Sequence, residues 1–174
     1  LEVRAEEVIA RLEALGARAD GPVHMHALYF DTPSRDLSRR KDSLRLRREG
    51  DTVVLNYKAH RSSATGSPGD VKVRDEHETT IGSLEVGRRI LEGLGFEVWF
   101  ETEKVRRGWA LDSLPGVHFV FDRFLGPHAF VPELLEIEAP TPDLLRAALE
   151  AAGFALDQTV PWNGFEVVEH YRRG

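Results

Sequence analysis

Ser43-Leu44-Arg45-Leu46-Arg47-Arg48-Glu49 alternates leucine with arginine, and Gly50-Asp51 separates it from Thr52-Val53-Val54-Leu55-Asn56-Tyr57-Lys58-Ala59. In an extended chain successive side chains point to opposite faces, so Leu44 and Leu46 share one face and Arg45 and Arg47 the other. A Gly-Asp pair between two β-prone runs is a hairpin signal. This stretch therefore reads as two antiparallel strands with one greasy face and one strongly charged face.

The same parity recurs outward from the hairpin. Leu55 and Tyr57 oppose Val54, Asn56 and Lys58, and Val71 and Val73 oppose Lys72, Arg74, Glu76 and Glu78. Val105 opposes Lys104 and Arg106, Phe119 and Phe121 oppose Val120 and Asp122, and Leu135 and Ile137 oppose Glu136 and Glu138. The common meaning of such alternation is a half-exposed antiparallel sheet with a solvated face. Here the strands separate Arg and Lys from Glu instead of mixing them, and they favour Arg, which suits bidentate recognition of phosphate or carboxylate.

Helices are also present to cover the apolar faces. Val8, Ile9, Leu12 and Leu15 make a helical stripe over Ala5 to Leu15, stopped by Gly16. Ser83 opens a second helix that ends at Gly95, and Thr141-Pro142-Asp143 opens a third that runs through Ala152 to Gly153. Strands are expected over His24 to Asp31, Val71 to Thr80, Val98 to Leu111, Val117 to Phe124 and Leu134 to Ala139. A mobile loop is expected over Arg61 to Gly69, and one more short helix in the tail from Asp157 to Gly174. With helices outside, the charged faces turn inward. The expected fold is α+β, a closed antiparallel barrel with helices packed on its exterior, as one domain over residues 1–174.

Composition narrows the chemistry. Hydrophobic residues are 41% and charged residues 30% of the chain, which is the balance of a globular protein, and no stretch approaches the roughly 18 apolar residues of a membrane helix. No secretory pattern is visible at Leu1, so the expected location is cytoplasmic. The absence of cysteine excludes disulfides, a thiolate nucleophile and Cys-ligated zinc. A net charge of −6 argues against nucleic acid as the partner, although Lys and Arg concentrate in the strands.

Arg45, Arg47, Lys58, Arg74, Lys104 and Arg106 crowded on one interior need an anionic guest, and a polyphosphate supplies the matching charge. Glu76, Glu78, Asp122, Glu136 and Glu138 then require a cation between themselves and that guest. Hard carboxylate oxygens suit Mg²⁺ or Mn²⁺. Together these groups make a phosphoryl-transfer constellation.

The motifs Tyr29-Phe30-Asp31-Thr32-Pro33, Leu44-Arg45-Leu46-Arg47-Arg48, Tyr57-Lys58, Arg74-Asp75-Glu76-His77-Glu78, Lys104-Val105-Arg106-Arg107 and Glu136-Ile137-Glu138 stand in the order found in the CYTH family. The chain resembles that family from about His24 to Glu138. It comprises class IV adenylate cyclases, thiamine triphosphatases and inorganic triphosphatases, also called triphosphate tunnel metalloenzymes. The resemblance implies a tunnel of about eight antiparallel strands. By it, Arg45, Arg47, Lys58, Arg74, Lys104 and Arg106 correspond to the phosphate-binding set, and Asp122, Glu136 and Glu138 to the metal-binding carboxylates. Tyr29, Glu76 and Glu78 fall among the catalytic residues: Tyr29 resembles a tyrosine that pairs with a lysine in some triphosphatases, and the two glutamates line the tunnel. The family's opening Glu-x-Glu-x-Lys strand has no counterpart here, since Glu2-Val3-Arg4 runs straight into the first helix, and that strand is expected upstream of Leu1.

The expected activity is metal-dependent hydrolysis of inorganic, thiamine or nucleoside triphosphate. The alternatives are a class IV adenylate cyclase and a non-catalytic polyphosphate- or nucleotide-binding module. Oligomeric state stays open, a homodimer being one reading. His24 and His26 share a strand face without a third ligand and are read as hydrogen-bonded rather than as a zinc site. Gly66-Ser67-Pro68-Gly69 lacks the Lys-Ser/Thr of a phosphate-cradling loop, and Trp99, Trp109 and Trp162 are read as packing residues.

Overall fold

The computed structural model describes residues 4–60, 74–160 and 162–173. The expected loop Arg61 to Gly69, residues Val71 to Val73 of the following strand and the side chain of Arg74 lie outside the described residues. The chain order is α1 (Ala5–Ala14), β1 (Arg18–Asp31), α2 (Asp36–Arg39), β2 (Ser43–Glu49), β3 (Thr52–His60), β4 (Arg74–Ile81), α3 (Leu84–Gly93), β5 (Glu97–Ala110), β6 (His118–Phe124), β7 (Leu134–Glu138), α4 (Pro142–Ala152) and α5 (Gly164–Arg173), with single 3-10 turns at Gly126–His128 and Leu156–Gln158. No helix among the described residues is long and apolar enough to cross a membrane.

The strands form a seven-stranded antiparallel sheet in the order β4-β3-β2-β1-β5-β6-β7. No hydrogen-bonded pairing joins β4 to β7 among the described residues, so the closure expected from the sequence is not made by a backbone ladder. One further expectation is corrected, and one unforeseen element appears. β1 begins at Arg18, not His24, and its first seven residues are exposed, so they carried no hydrophobic alternation to reveal them. The segment after Pro33 contains α2, a single turn built on a buried aspartate and not on an apolar stripe. Asp31 accepts from the backbone N–H of Thr32 (2.8 Å), Leu37 (2.9 Å) and Ser38 (2.9 Å) and is wholly buried. Burial pushes its carboxyl up, but these donors and the Ser38 hydroxyl outweigh that and hold it below the ordinary carboxylate range.

The chain groups into two compact units. In the unit formed by residues 24–60 and 74–103, Leu28, Phe30 and Leu46 pack with Leu84 and Leu91 of α3, and Leu44, Leu55 and Ile81 border them. α3 starts where Ser83 accepts from Val86 N–H at 3.3 Å. It lies close enough that a Cβ on Gly87 would meet Ile81 Cδ1 at 2.5 Å. In the unit that holds residues 4–23 and 104–173, Val8, Ile9 and Leu12 of α1 and Ala148 and Ala152 of α4 pack on Trp109, Phe119 and Phe121, with Leu135 and Ile137 alongside. Thr141 caps α4 by accepting from Leu144 N–H at 3.3 Å, and Gly153 ends it at φ 87°, a conformation that an L side chain strains to adopt. In each unit the helices thus cover the face that the parity of the strands assigned to leucine, isoleucine and phenylalanine among the described residues.

Candidate active site

In the unit built on β1 to β4, register fixes which charges are neighbours. Tyr29 stands opposite Arg45, Arg45 opposite Asn56, and Asn56 opposite Glu78, so these four cross the strands as one row. Ser43, Lys58 and Glu76 make the adjacent row. Lys58 Nζ contacts Glu76 Oε1 at 3.0 Å, Arg47 pairs with Glu49, and Arg47 Nη2 lies 3.6 Å from Glu78 Oε2. Burial pushes the Glu76 carboxyl up, while hydrogen bonds from Lys58 and Asn56 and the charge of Arg45 hold it below its ordinary range. Arg45 has no ion pair among the described residues, and its half-buried Nε–H has no hydrogen-bond partner. Tyr29 packs its ring 5.3 Å from that of Phe100.

In the unit that holds β6 and β7, the centre is Asp122, 5% exposed. It accepts from Arg106 Nε and Nη2, both at 2.8 Å, and pairs with Lys104. Arg106 also reaches Glu136 at 2.9 Å and Glu138 at 3.5 Å. Burial pushes the Asp122 carboxyl up, but the Lys104 charge and the Arg106 hydrogen bonds prevail and keep it below the ordinary range. The reciprocal effect holds Arg106 firmly protonated against its own burial. Three carboxylates against two cations leave one negative charge. Glu136 and Glu138 have side chains 56% and 52% exposed, and are therefore the solvent-facing acceptors of the group.

The sequence expectations thus divide cleanly. Tyr29, Arg45, Arg47, Lys58, Glu76 and Glu78 come together on one face of one unit. Lys104, Arg106, Asp122, Glu136 and Glu138 come together on one face of the other. Among the described residues no three carboxylates or imidazoles already converge as a preformed metal nest, because Lys104 and Arg106 occupy the oxygens. The donor set itself fits a hard cation: carboxylate oxygens, two of them on exposed side chains able to turn, and a residual negative charge. His26 hydrogen-bonds Glu101 at 2.6 Å, as expected of a structural histidine. Trp109 is core, whereas Trp162 lies on His170 with centroids 4.4 Å apart and stays 40% exposed.

Sequence reading gave no role to Asn56, which sits wholly buried among these charges. A signal was present, since asparagine is depleted in strand interiors and stands here mid-strand on the charged face. Met25, Ala27 and Val54 are buried on that same face, so the charged surface has an apolar end that the arginine pattern concealed.

The CYTH domain family model matches residues 1–155. No curated protein matches the sequence. Among solved structures, the chain is similar to the PH1012 protein of Pyrococcus horikoshii OT3, at 20% identity and a TM-score of 0.74 over 97% of this chain and 94% of that one. It is also similar to an adenylate cyclase candidate of Vibrio parahaemolyticus, at 15% identity and 0.75 over 97% and 93%. A third is HpAC1 of Hippeastrum, an adenylyl cyclase candidate with a dominant triphosphatase activity, at 19% identity and 0.63 over 95% and 90%. At these identities the likeness concerns the fold.

Proposed function

The chain belongs to the CYTH domain family, and from that premise we propose that it hydrolyses the terminal phosphoanhydride of a small triphosphate in a reaction that depends on a divalent metal. The observation that carries this reading is the pairing state of the charges. Arg45 makes no ion pair among the described residues, and the buried Lys104–Arg106–Asp122 group keeps two cations beside carboxylates that a cation can recruit. Triphosphatase activity in a protein of the same fold supports the choice of reaction.

Asp122, Glu136 and Glu138 would hold Mg²⁺ or Mn²⁺. Such an ion supplies charge neutralisation at the phosphate oxygens and lowers the pKa of water. The chain's own residues do the rest. Arg45, Arg47, Lys58, Arg74, Lys104 and Arg106 bind the phosphate oxygens, and Arg45 is the first of these because it has no ion pair to give up among the described residues. Tyr29 is its cross-strand neighbour. Glu76 is held ionised below the usual range, which suits it to orienting Lys58 and not to taking a proton at neutral pH. Glu78, 3.6 Å from Arg47 Nη2, orients that guanidinium. Water oxygen bonds to the terminal phosphorus as the bridging P–O bond breaks, giving phosphate and a diphosphate leaving group. Catalysis is positional and electrostatic, with no covalent enzyme intermediate.

The purified protein is tested with Mg²⁺ or Mn²⁺ against inorganic triphosphate, thiamine triphosphate and ATP. Release of phosphate is the expected result. Cyclic AMP and pyrophosphate from ATP would establish a cyclase instead, and metal-dependent binding without turnover a binding module.

A further inference from the structure

Asn56 lies at the centre of β3, 0% exposed, in the row Tyr29–Arg45–Asn56–Glu78. Burying an amide is costly unless its polar atoms are satisfied, and asparagine gains nothing from the strand itself. Its Nδ2 nevertheless makes two strong contacts, donating to Glu76 Oε1 at 2.6 Å and to Glu78 Oε2 at 2.9 Å. Those glutamates are two residues apart on β4, on one face, with Cα atoms about 6.5–7 Å apart. One amide group therefore bridges both carboxylates. Its orientation is dictated by charge, because the reverse rotamer would aim Oδ1 at two anions. Oδ1 is left buried with no hydrogen-bond partner. A fold that keeps an unsatisfied acceptor to hold two carboxylates is spending stability on their placement.

We propose that Asn56 is a positioning residue that holds Glu76 and Glu78 as a fixed pair, so that Glu76 ties only one side of Lys58 and leaves the ammonium directed at an anionic ligand, while Glu78 stays on Arg47. Without the bridge, each carboxylate is free to fold fully onto its own cation, and the anion loses its donors. The groups that face the bridge on this surface are Tyr29 from β1, Arg45, Arg47 and Glu49 from β2, Lys58 and His60 from β3, and Thr80 from β4. Lys58 and Arg47 share the oxygens that Asn56 contacts, Glu76 Oε1 and Glu78 Oε2, and only Asn56 contacts both carboxylates among the described residues. The consequence for an anionic ligand rests on the triphosphate reading; the bridge does not.

Two measurements separate them. In the labelled parent protein, both Asn56 side-chain amide protons should resonate downfield and move on acid titration together with the Glu76 carboxyl carbon. In Asn56→Leu, which keeps the size and removes both donors, the Glu76 titration should move to higher pH. Metal-free binding of inorganic triphosphate, read by calorimetry, should weaken about five- to tenfold, the worth of roughly one ordinary hydrogen bond. Amide protons in the parent that ignore both carboxylates overturn the proposal, however the variant folds. So does a variant whose triphosphate affinity equals that of a parent that binds it. If the amide and carboxyl signals respond but the parent binds no triphosphate, the bridge stands and the phosphohydrolase reading falls.

Discussion

Replacing Asp122 with Asn removes the charge at the centre of the most buried ionic group while keeping its shape. Asp122 receives three charge-assisted contacts, two from Arg106 at 2.8 Å and one from Lys104, whose side chains are only 20% and 19% exposed. Removing one partner of a buried pair costs about 3–5 kcal/mol, because the charge left behind is neither hydrated nor neutralised. Glu136 and Glu138 still reach Arg106, and an asparagine carbonyl still accepts one bond, so the lower end applies, about 3 kcal/mol. For a chain of this size that lowers the melting temperature by about 6–12 °C, measured by thermal denaturation at pH 7. The pH dependence has a fixed sign. Because the Asp122 carboxyl is depressed in the folded state, its contribution is complete above the unfolded carboxylate range near about pH 3.9 and is lost as pH falls through the folded value. The gap between parent and variant should therefore be constant through neutral pH and close only in acid. Metal-free inorganic triphosphate should stabilise the variant more than the parent, by supplying the missing negative charge. A variant within about 1 kcal/mol of the parent at pH 7, or a gap that widens on acidification, would refute the reasoning.

Other outcomes follow from the same structure. Arg45→Ala should weaken triphosphate binding about ten- to hundredfold by calorimetry, the worth of a charged bidentate contact, with little loss of stability because Arg45 has no ion pair to break among the described residues. Glu136→Gln should lower the affinity for Mn²⁺ while metal-free triphosphate binding stays equal or rises, since it removes a negative charge from the outer side of Arg106. Asp31→Ala leaves the Thr32, Leu37 and Ser38 N–H groups without their acceptor. It should cost about 2–4 kcal/mol and speed hydrogen exchange at Leu37 and Ser38 before the rest of the sheet.

The sequence made the strands of the hairpin, the face of every charge in them and the three capped helices legible. Each of these is a local consequence of stereochemistry: side-chain parity in an extended chain, a hydroxyl before a helix, a glycine after it. Leu46 under α3 and Ile137 beside α4 fell where alternation put them, because burying those faces is the dominant favourable term whatever the topology. The first residues of β1 and the turn α2 were not legible. Exposed strand residues carry no hydrophobic signal, and α2 depends on Asp31, whose acceptors meet donors up to seven residues away.

Partnership was decided by the tertiary structure alone. Parity placed Lys58, Glu76, Arg106 and Asp122 on charged faces, but which cation meets which carboxylate depends on strand register and order, and a one-residue slip would reassign every pair. Register put Asn56 between Arg45 and Glu78 and made a residue without charge the bridge between two glutamates. Strand order brought Asp122 between Lys104 and Arg106, where burial gives their mutual attraction the low-dielectric setting that no local pattern encodes.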